Sequence, residues 1–144
     1  MSKTAIIYWS GTGNTEEMAM AIAKGAKEGA GTEVSVFTVD QINANEAAKY
    51  DNLILGCPSM GAEVLEESEF EPFYADLEKQ INGKNVGLFG SYGWGDGEWM
   101  RNWEDSVKQA GANLVDGEGV IINETPDSEG LERCRAFGMV ISKL

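Results

Sequence analysis

Ser10-Gly11-Thr12-Gly13-Asn14-Thr15 decides how this chain is read. An apolar run, Thr4-Ala5-Ile6-Ile7-Tyr8-Trp9, precedes it, and a stretch with helical character follows from Glu16 to Glu28. A strand, a short loop of glycines and hydroxyls, then a helix makes an anion cradle. Loop N–H groups and the unpaired N–H groups of the first helical turn converge where the helix dipole favours negative charge. Ser10, Thr12, Asn14 and Thr15 add side-chain donors. No Lys or Arg lies in or beside the loop, so a phosphate here would be held by hydrogen bonds, without salt bridge or metal. The plain alternative is a tight turn with no ligand, for which glycine and asparagine are ordinary residues.

Three familiar phosphate loops fail on these residues. The nucleotide P-loop needs a Lys that is missing. The dinucleotide fingerprint G-x-G-x-x-G fits Gly11 and Gly13 but meets Glu16 at its third glycine. A kinase loop needs an H-R-D motif, and the chain has no His. A phosphomonoester, such as the tail of a mononucleotide, remains.

The rest of the composition narrows the function further. At 144 residues, 42% of them hydrophobic, the chain reads as one globular domain spanning 1–144. No apolar run approaches membrane-spanning length and no signal peptide is visible, so no membrane partner is expected. Cys57 and Cys134 form no C-x-x-C pair and read as free thiols in a reducing cytoplasm. Without His, a Ser-His-Asp triad and His metal sites are excluded. A net charge of −13 argues against nucleic acid and for a self-repelling monomer.

Strand-like and amphipathic helical stretches alternate along the chain. Strands are expected at Thr4–Trp9, Glu33–Thr38, Asn52–Gly56, Asn85–Gly90 and within Asn113–Ile122, the last kinked at Gly117 and Gly119. Helices are expected at Glu16–Glu28, Asn45–Lys49, Phe70–Gln80 and Glu98–Ala110, with a last one from Pro126-Asp127-Ser128. Five such units predict an α/β fold, a doubly wound parallel sheet with helices on both faces. Ligands on such sheets bind beyond the carboxyl ends of the strands, where the strand order reverses. Three loops meet there: Ser10–Thr15, Cys57–Glu67 and Ser91–Gly97.

The third loop, Ser91-Tyr92-Gly93-Trp94-Gly95-Asp96-Gly97, sets a Trp between glycines, with little local core to pack against. Gly93 and Gly95 let backbone approach a flat ligand while Trp94 lies across it, a stacking worth about 0.5–1.5 kcal/mol beyond area burial. A Trp lid over the sheet edge is the alternative, and Trp103 reads as core. In the second loop, Cys57-Pro58-Ser59-Met60-Gly61-Ala62-Glu63, Met60 would cover the ligand's second face. Gly61 permits positive φ, so the Met60–Gly61 peptide would turn over without steric penalty. Met-Gly by itself is usually just a turn.

With all three loops in view the chain resembles the flavodoxins, most closely the short-chain clostridial type. The resemblance rests on YWSGTGNTE (Tyr8–Glu16), the run from Gly56 through Met60-Gly61 to Glu71-Pro72-Phe73, and LFGSYGWGDG (Leu88–Gly97). It implies a five-stranded sheet in the order 2-1-3-4-5, for which flavodoxins are themselves the standard illustration. It also implies FMN as cofactor and electron transfer, not substrate turnover, as the activity. Ser10, Gly11, Thr12, Gly13, Asn14 and Thr15 would hold the phosphate. Trp94 and Met60 would cover the two flavin faces. Ser59, Ala62, Ser91, Tyr92, Gly93 and Gly95 would line the ring and ribityl chain, mostly through backbone. Glu63 would accept from the pyrimidine N3–H. Ala62 departs from the polar residue common at this position.

The implied role is a low-potential one-electron carrier working between the semiquinone and hydroquinone of the flavin, with the Gly61 carbonyl turning inward to a protonated N5. The charge pattern suits it. Asp51, Glu63, Glu66, Glu67, Glu69, Glu71, Asp76 and Glu78 are accompanied by no Lys or Arg between Tyr50 and Glu78. One carboxylate about 8 Å from an anionic ring, at an effective dielectric near 20, costs about 2 kcal/mol before salt screening. The same acidic ring would steer docking to basic faces of redox partners.

Other classes on this fold fit worse. A phosphotransfer receiver needs an acid pair after the first strand and an Asp ending the third, where this chain has Trp9-Ser10 and Gly56-Cys57. A low-molecular-weight phosphatase needs C-x5-R, and neither cysteine has it. An FMN-dependent quinone reductase would need a substrate pocket over the ring, which Met60 and Trp94 would cover.

Overall fold

The computed structural model describes residues 1–144. In chain order the elements are β1 (Ser2–Tyr8), α1 (Asn14–Gly29), β2 (Thr32–Thr38), α2 (Ala44–Ala47), β3 (Asn52–Gly56), α3 (Phe70–Glu78) and β4 (Asn85–Tyr92). They continue with α4 (Glu98–Gln109), β5 (Asn113–Leu114), β6 (Val120–Asn123) and α5 (Ser128–Ile141). Every strand pairing is parallel, and the order is β2-β1-β3-β4-β5, with β6 also paired to β4.

The strands alternate between two buried faces, as a sheet covered on both sides requires. Ala5, Ile7, Leu53, Leu55, Val86 and Leu88 face α3 and α4, where Phe70, Leu77, Trp99 and Trp103 meet them. Ile6, Tyr8, Ile54 and Phe89 face α1 and α5, against Met18, Ile22, Cys134 and Phe137. Here α1 and α5 pack with backbones nearly touching. A Cβ on Gly25 would come within 1.9 Å of the Arg135 carbonyl oxygen, and one on Gly138 within 2.1 Å of that of Ile22. No helix is long and apolar enough to cross a membrane.

The fifth strand position differs from the sequence expectation. Two short pieces fill it: β5 pairs with Asn85 and Val86, and β6 with Phe89 to Tyr92. A 3-10 turn, Val115–Gly117, separates them, with Asp116 and Gly117 both left-handed (φ 62° and 76°). The sheet thus has six strand segments in five positions, and the break spans more chain than a kink.

At the amino ends of the strands a polar ladder crosses the sheet. The Thr32 and Thr4 hydroxyls lie 2.7 Å apart, Asn52 Nδ2 donates to Thr4 Oγ1 at 3.0 Å, and Asn85 Nδ2 donates to Asn52 Oδ1 at 3.0 Å. Sliding any strand by one residue would turn these side chains to the other face and leave buried polar groups unpaired. Register is therefore pinned at the edge opposite the three loops.

Candidate functional site

The first loop leaves β1 at Tyr8 and enters α1 at Asn14, two residues earlier than expected, so Asn14 and Thr15 belong to the first helical turn. Gly13 takes the N-cap in the left-handed region (φ 99°) and offers no side-chain cap. Ser10 supplies one instead: its Oγ accepts from the Gly13 N–H at 3.1 Å and the Glu16 N–H at 3.3 Å. That leaves the Ser10 O–H free to donate. The N–H groups of Gly11, Thr12, Asn14 and Thr15 have no acceptor within the protein. Unpaired donors at a helix N-terminus, with hydroxyls beside them, fit a phosphate dianion.

Thr15 also reaches across to the third loop. Its side chain is 1% exposed, and its hydroxyl lies 2.9 Å from the Ser91 hydroxyl. The Ser91 N–H donates to the same Thr15 oxygen at 3.4 Å. The Thr15 oxygen thus fastens α1 to β4, and where the Ser91 hydroxyl is the donor the Thr15 O–H stays available to an anion beside its N–H. Ser91, expected to line a ring, is likewise buried and forms the floor beneath the cleft.

The second loop leaves β3 through Cys57 and is clamped where it returns. The Glu66 N–H donates to Cys57 Sγ at 3.3 Å. The Glu66 carboxylate, 6% exposed, accepts from the N–H groups of Ser68 (2.8 Å), Glu69 (2.8 Å) and Phe70 (2.9 Å), and from the Ser68 hydroxyl. It thereby caps α3. Burial pushes this carboxyl up, but the bonds from Ser68, Phe70 and Glu69 outweigh burial and hold it below the usual range. Burial also pushes the Cys57 thiol up to about 12, so it stays protonated.

Between these fixed ends the loop folds into a small hairpin. Met60 and Val64 exchange both backbone bonds: Met60 N–H to Val64 O at 2.8 Å, and Val64 N–H to Met60 O at 2.9 Å. The Met60–Gly61 peptide is held through the Met60 carbonyl. The next peptide is free, because neither the Gly61 carbonyl nor the Ala62 N–H makes a hydrogen bond in the protein. Gly61 already sits at φ 49°. Glu63 is left-handed as well (φ 56°), and its Oε1 accepts from the Glu98 N–H at the start of α4, at 3.2 Å. One Glu63 oxygen thus ties the second loop to the third, and the other has no hydrogen-bond partner.

The third loop begins later than expected, because β4 continues through Tyr92. Asn123 and Glu124 hold its exit. The Tyr92 carbonyl accepts from Asn123 Nδ2 at 3.1 Å and from the Glu124 N–H at 2.7 Å. The Tyr92 ring leans on Trp99, centroids 5.5 Å apart. Trp94 is left 65% exposed, between the exposed Gly93 and Gly95. Its ring is therefore open to solvent on a glycine-flanked loop.

A cleft of about 280 Å³ joins the three loops, bounded by Gly11, Thr12, Asn14, Ser59, Met60, Tyr92 and Gly93. A second hollow, about 430 Å³, lies on the other side of the phosphate loop against Thr38 and Asp40. Trp9 lines both, so it walls the loop, and its Nε1 donates to Glu69 Oε1 at 3.2 Å. Trp9, Pro58 and Glu124 are cleft residues that the sequence reading did not assign. Trp9 was legible as an aromatic abutting the loop. Glu124 (φ 58°) enters only because β6 pairs with β4. The acidic rim also carries one cation: Arg101 pairs with Asp96 at 2.9 Å and holds that exposed carboxyl below its usual range.

The parallel order β2-β1-β3-β4-β5, with a cationless anion cradle at the switch between β1 and β3, defines a doubly wound α/β protein of the mononucleotide-binding kind. The family model described as Flavodoxin matches residues 6–138. The chain is 49% identical to the flavodoxin of Clostridium beijerinckii, over 96% of this chain and 99% of that one. It is 45% identical to that of Megasphaera elsdenii, over 96% and 97%. The solution structure of two-electron reduced Megasphaera elsdenii flavodoxin superposes with a TM-score of 0.88 at 43% identity, covering 98% of this chain and 99% of that one. The chain belongs to the flavodoxin family. Its members bind FMN and carry electrons to redox partners, and FMN is the cofactor of this chain.

Proposed function

We propose that residues 1–144 act as one domain, a low-potential one-electron carrier that alternates FMN between its one- and two-electron-reduced forms. The observation that carries this reading is the set of acceptorless N–H groups at Gly11, Thr12, Asn14 and Thr15, opening on a cleft that reaches Met60 and Gly93. With the Ser10 and Thr12 hydroxyls and Asn14, these groups hold the phosphate. Gly13 shapes the loop. Trp94 stacks on one face of the ring and Met60 covers the other. Backbone of Ser59, Ala62, Tyr92, Gly93 and Gly95 lines the edge. The free Glu63 oxygen accepts from the pyrimidine N3–H. The Gly61 carbonyl, on a peptide with no internal bonds, would accept a hydrogen bond from an N–H at the ring's N5 edge. FMN supplies the redox chemistry, and the protein supplies orientation and field.

Glu63, Glu67, Glu69 and Glu71 surround the second loop, and none of them is in an ion pair. Their field disfavours extra negative charge on the ring and so lowers the potential of the second electron. It also selects redox partners with basic docking faces. With both cysteines free and buried and a charge of −13, a cytoplasmic monomer is the expected state.

Stepwise anaerobic reduction of the FMN-loaded protein, followed by visible spectroscopy, tests the reading. Two resolved one-electron steps, the second well below the potential of free flavin, support it. Direct two-electron bleaching would overturn it. Electron transfer to a basic partner that did not slow as salt rises would remove the docking part.

A further inference from the structure

Beside the second loop, α3 and α4 leave a groove of about 570 Å³ that shares only Glu63 with the residues assigned to the flavin. Its floor is aromatic: Tyr74, Trp99 and Trp103 line it, and the half-exposed side chain of Val64 stands at its mouth. Glu63, Glu67, Glu71 and Glu78 also line it, no Lys or Arg does, and none of the four carboxylates is in an ion pair. Arg101 on α4 is turned to Asp96. Glu78 accepts from the Ser106 hydroxyl, which lies 2.8 Å from the Tyr74 hydroxyl, so polar groups also close the far end. Trp103 is 2% exposed, and its indole N–H is the only buried side-chain donor in the protein without an acceptor.

Apolar surface and unpaired negative charge call for an occupant with the complementary set. We infer that this groove seats a basic amphipathic segment of a partner protein. Arginine or lysine stems would lie along the Val64–Tyr74 side, and their charged heads would reach Glu67, Glu71 and Glu78. The inference rests on the electron-carrier reading and deepens it. It puts an anchoring contact beside the flavin edge, on the flank of α3 and α4, and leaves the edge itself open for transfer.

Nuclear magnetic resonance on the FMN-loaded full chain tests this, because the four tryptophans, Trp9, Trp94, Trp99 and Trp103, give separate indole N–H signals. The probe is a short helical peptide with arginines one turn apart and leucines between, and the control replaces arginine by citrulline. Saturable shifts of the Trp103 indole and the Tyr74 and Ala75 amides with the arginine peptide alone support the groove. Removing two carboxylates with Glu67→Gln and Glu71→Gln should weaken binding about fivefold, and Ala75→Arg, which tethers a cation in the groove, should abolish it. Shifts confined to Trp94, or equal binding by the citrulline peptide or the Ala75→Arg variant, would overturn it. The same titration without FMN, and the potentials of the variants with it, separate the two readings. A groove that fails while the flavin binds and reduces normally counts against the groove alone, and a chain that takes no flavin counts against the carrier.

Discussion

The Thr15 hydroxyl lies 2.9 Å from the Ser91 hydroxyl, and this buried pair fastens the first turn of α1 to the carboxyl end of β4. Through it the phosphate loop and the third loop share one anchor. Thr15→Val would leave the Ser91 hydroxyl and N–H without their partner. The expected loss is about 1–2 kcal/mol of stability, with weaker FMN binding. Ser91→Ala should cost a similar amount, and the double variant less than the sum, because one interaction is removed in either case. Urea titrations of the four proteins in the cycle check this.

Ser10 holds the phosphate loop closed through the Gly13 and Glu16 N–H groups. Ser10→Ala removes a cap worth about 1 kcal/mol and a donor to the anion. The variant should bind FMN at least about tenfold more weakly, since bonds to a charged group are worth about 1.5–3 kcal/mol. Its affinity for riboflavin, which lacks the phosphate, should change far less. Quenching of flavin fluorescence measures both, and equal losses for the two flavins would show that Ser10 acts only on the fold.

Gly61, at φ 49°, carries into the Gly61–Ala62 peptide, whose carbonyl and N–H are both unpaired. Gly61→Ala restricts rotation there and costs about 1 kcal/mol in the left-handed state. A change of that size corresponds to about 40 mV for one electron. The two potentials should move closer together by tens of millivolts in a spectroelectrochemical titration. Breaking the Met60–Val64 hairpin should instead loosen the whole loop and weaken FMN binding.

Glu66 makes acid stability a property of the second loop. Its carboxyl titrates below the ordinary value because Ser68, Phe70 and Glu69 donate to the ionised form. The stabilisation is therefore complete above the unfolded-state value and is lost as pH falls through the depressed folded-state value. Glu66→Gln should be less stable than the parent at neutral pH, by about 1–2 kcal/mol. The gap should narrow on acidification below the ordinary carboxylate range, read as urea midpoints across pH. A constant gap would mean that the Glu66 charge contributes nothing.

Much of this was legible in the sequence because its signals are local. The strand, loop and helix around Ser10–Thr15 follow from apolar runs, glycines and helix-start residues adjacent in the chain. The alternation of Ala5 and Ile7 against Ile6 and Tyr8 announces a sheet covered on both faces. The resemblance carried by Met60-Gly61 and Ser91–Gly97 pointed to the family and its cofactor. Hydroxyl and carboxylate assignments were less secure, since residue type says what a side chain can bond and not which neighbour reaches it first. Thr15 was read as a phosphate ligand, and nothing in the local sequence showed that its hydroxyl also meets Ser91, 76 positions away.

The sequence by itself determined the element types, the two-faced core and the acidic, cationless character of the loops, because periodicity, turn chemistry and charge act over a few residues. Only the tertiary structure decided that the fifth strand position is shared by β5 and β6, that Glu66 caps α3 while holding Cys57, and that the Met60 carbonyl is tied to Val64. It alone placed the α3–α4 groove beside the second loop. Each of these depends on which distant donor meets which acceptor once both are withdrawn from water, and that pairing is set by the packed arrangement of the whole sheet and its helices.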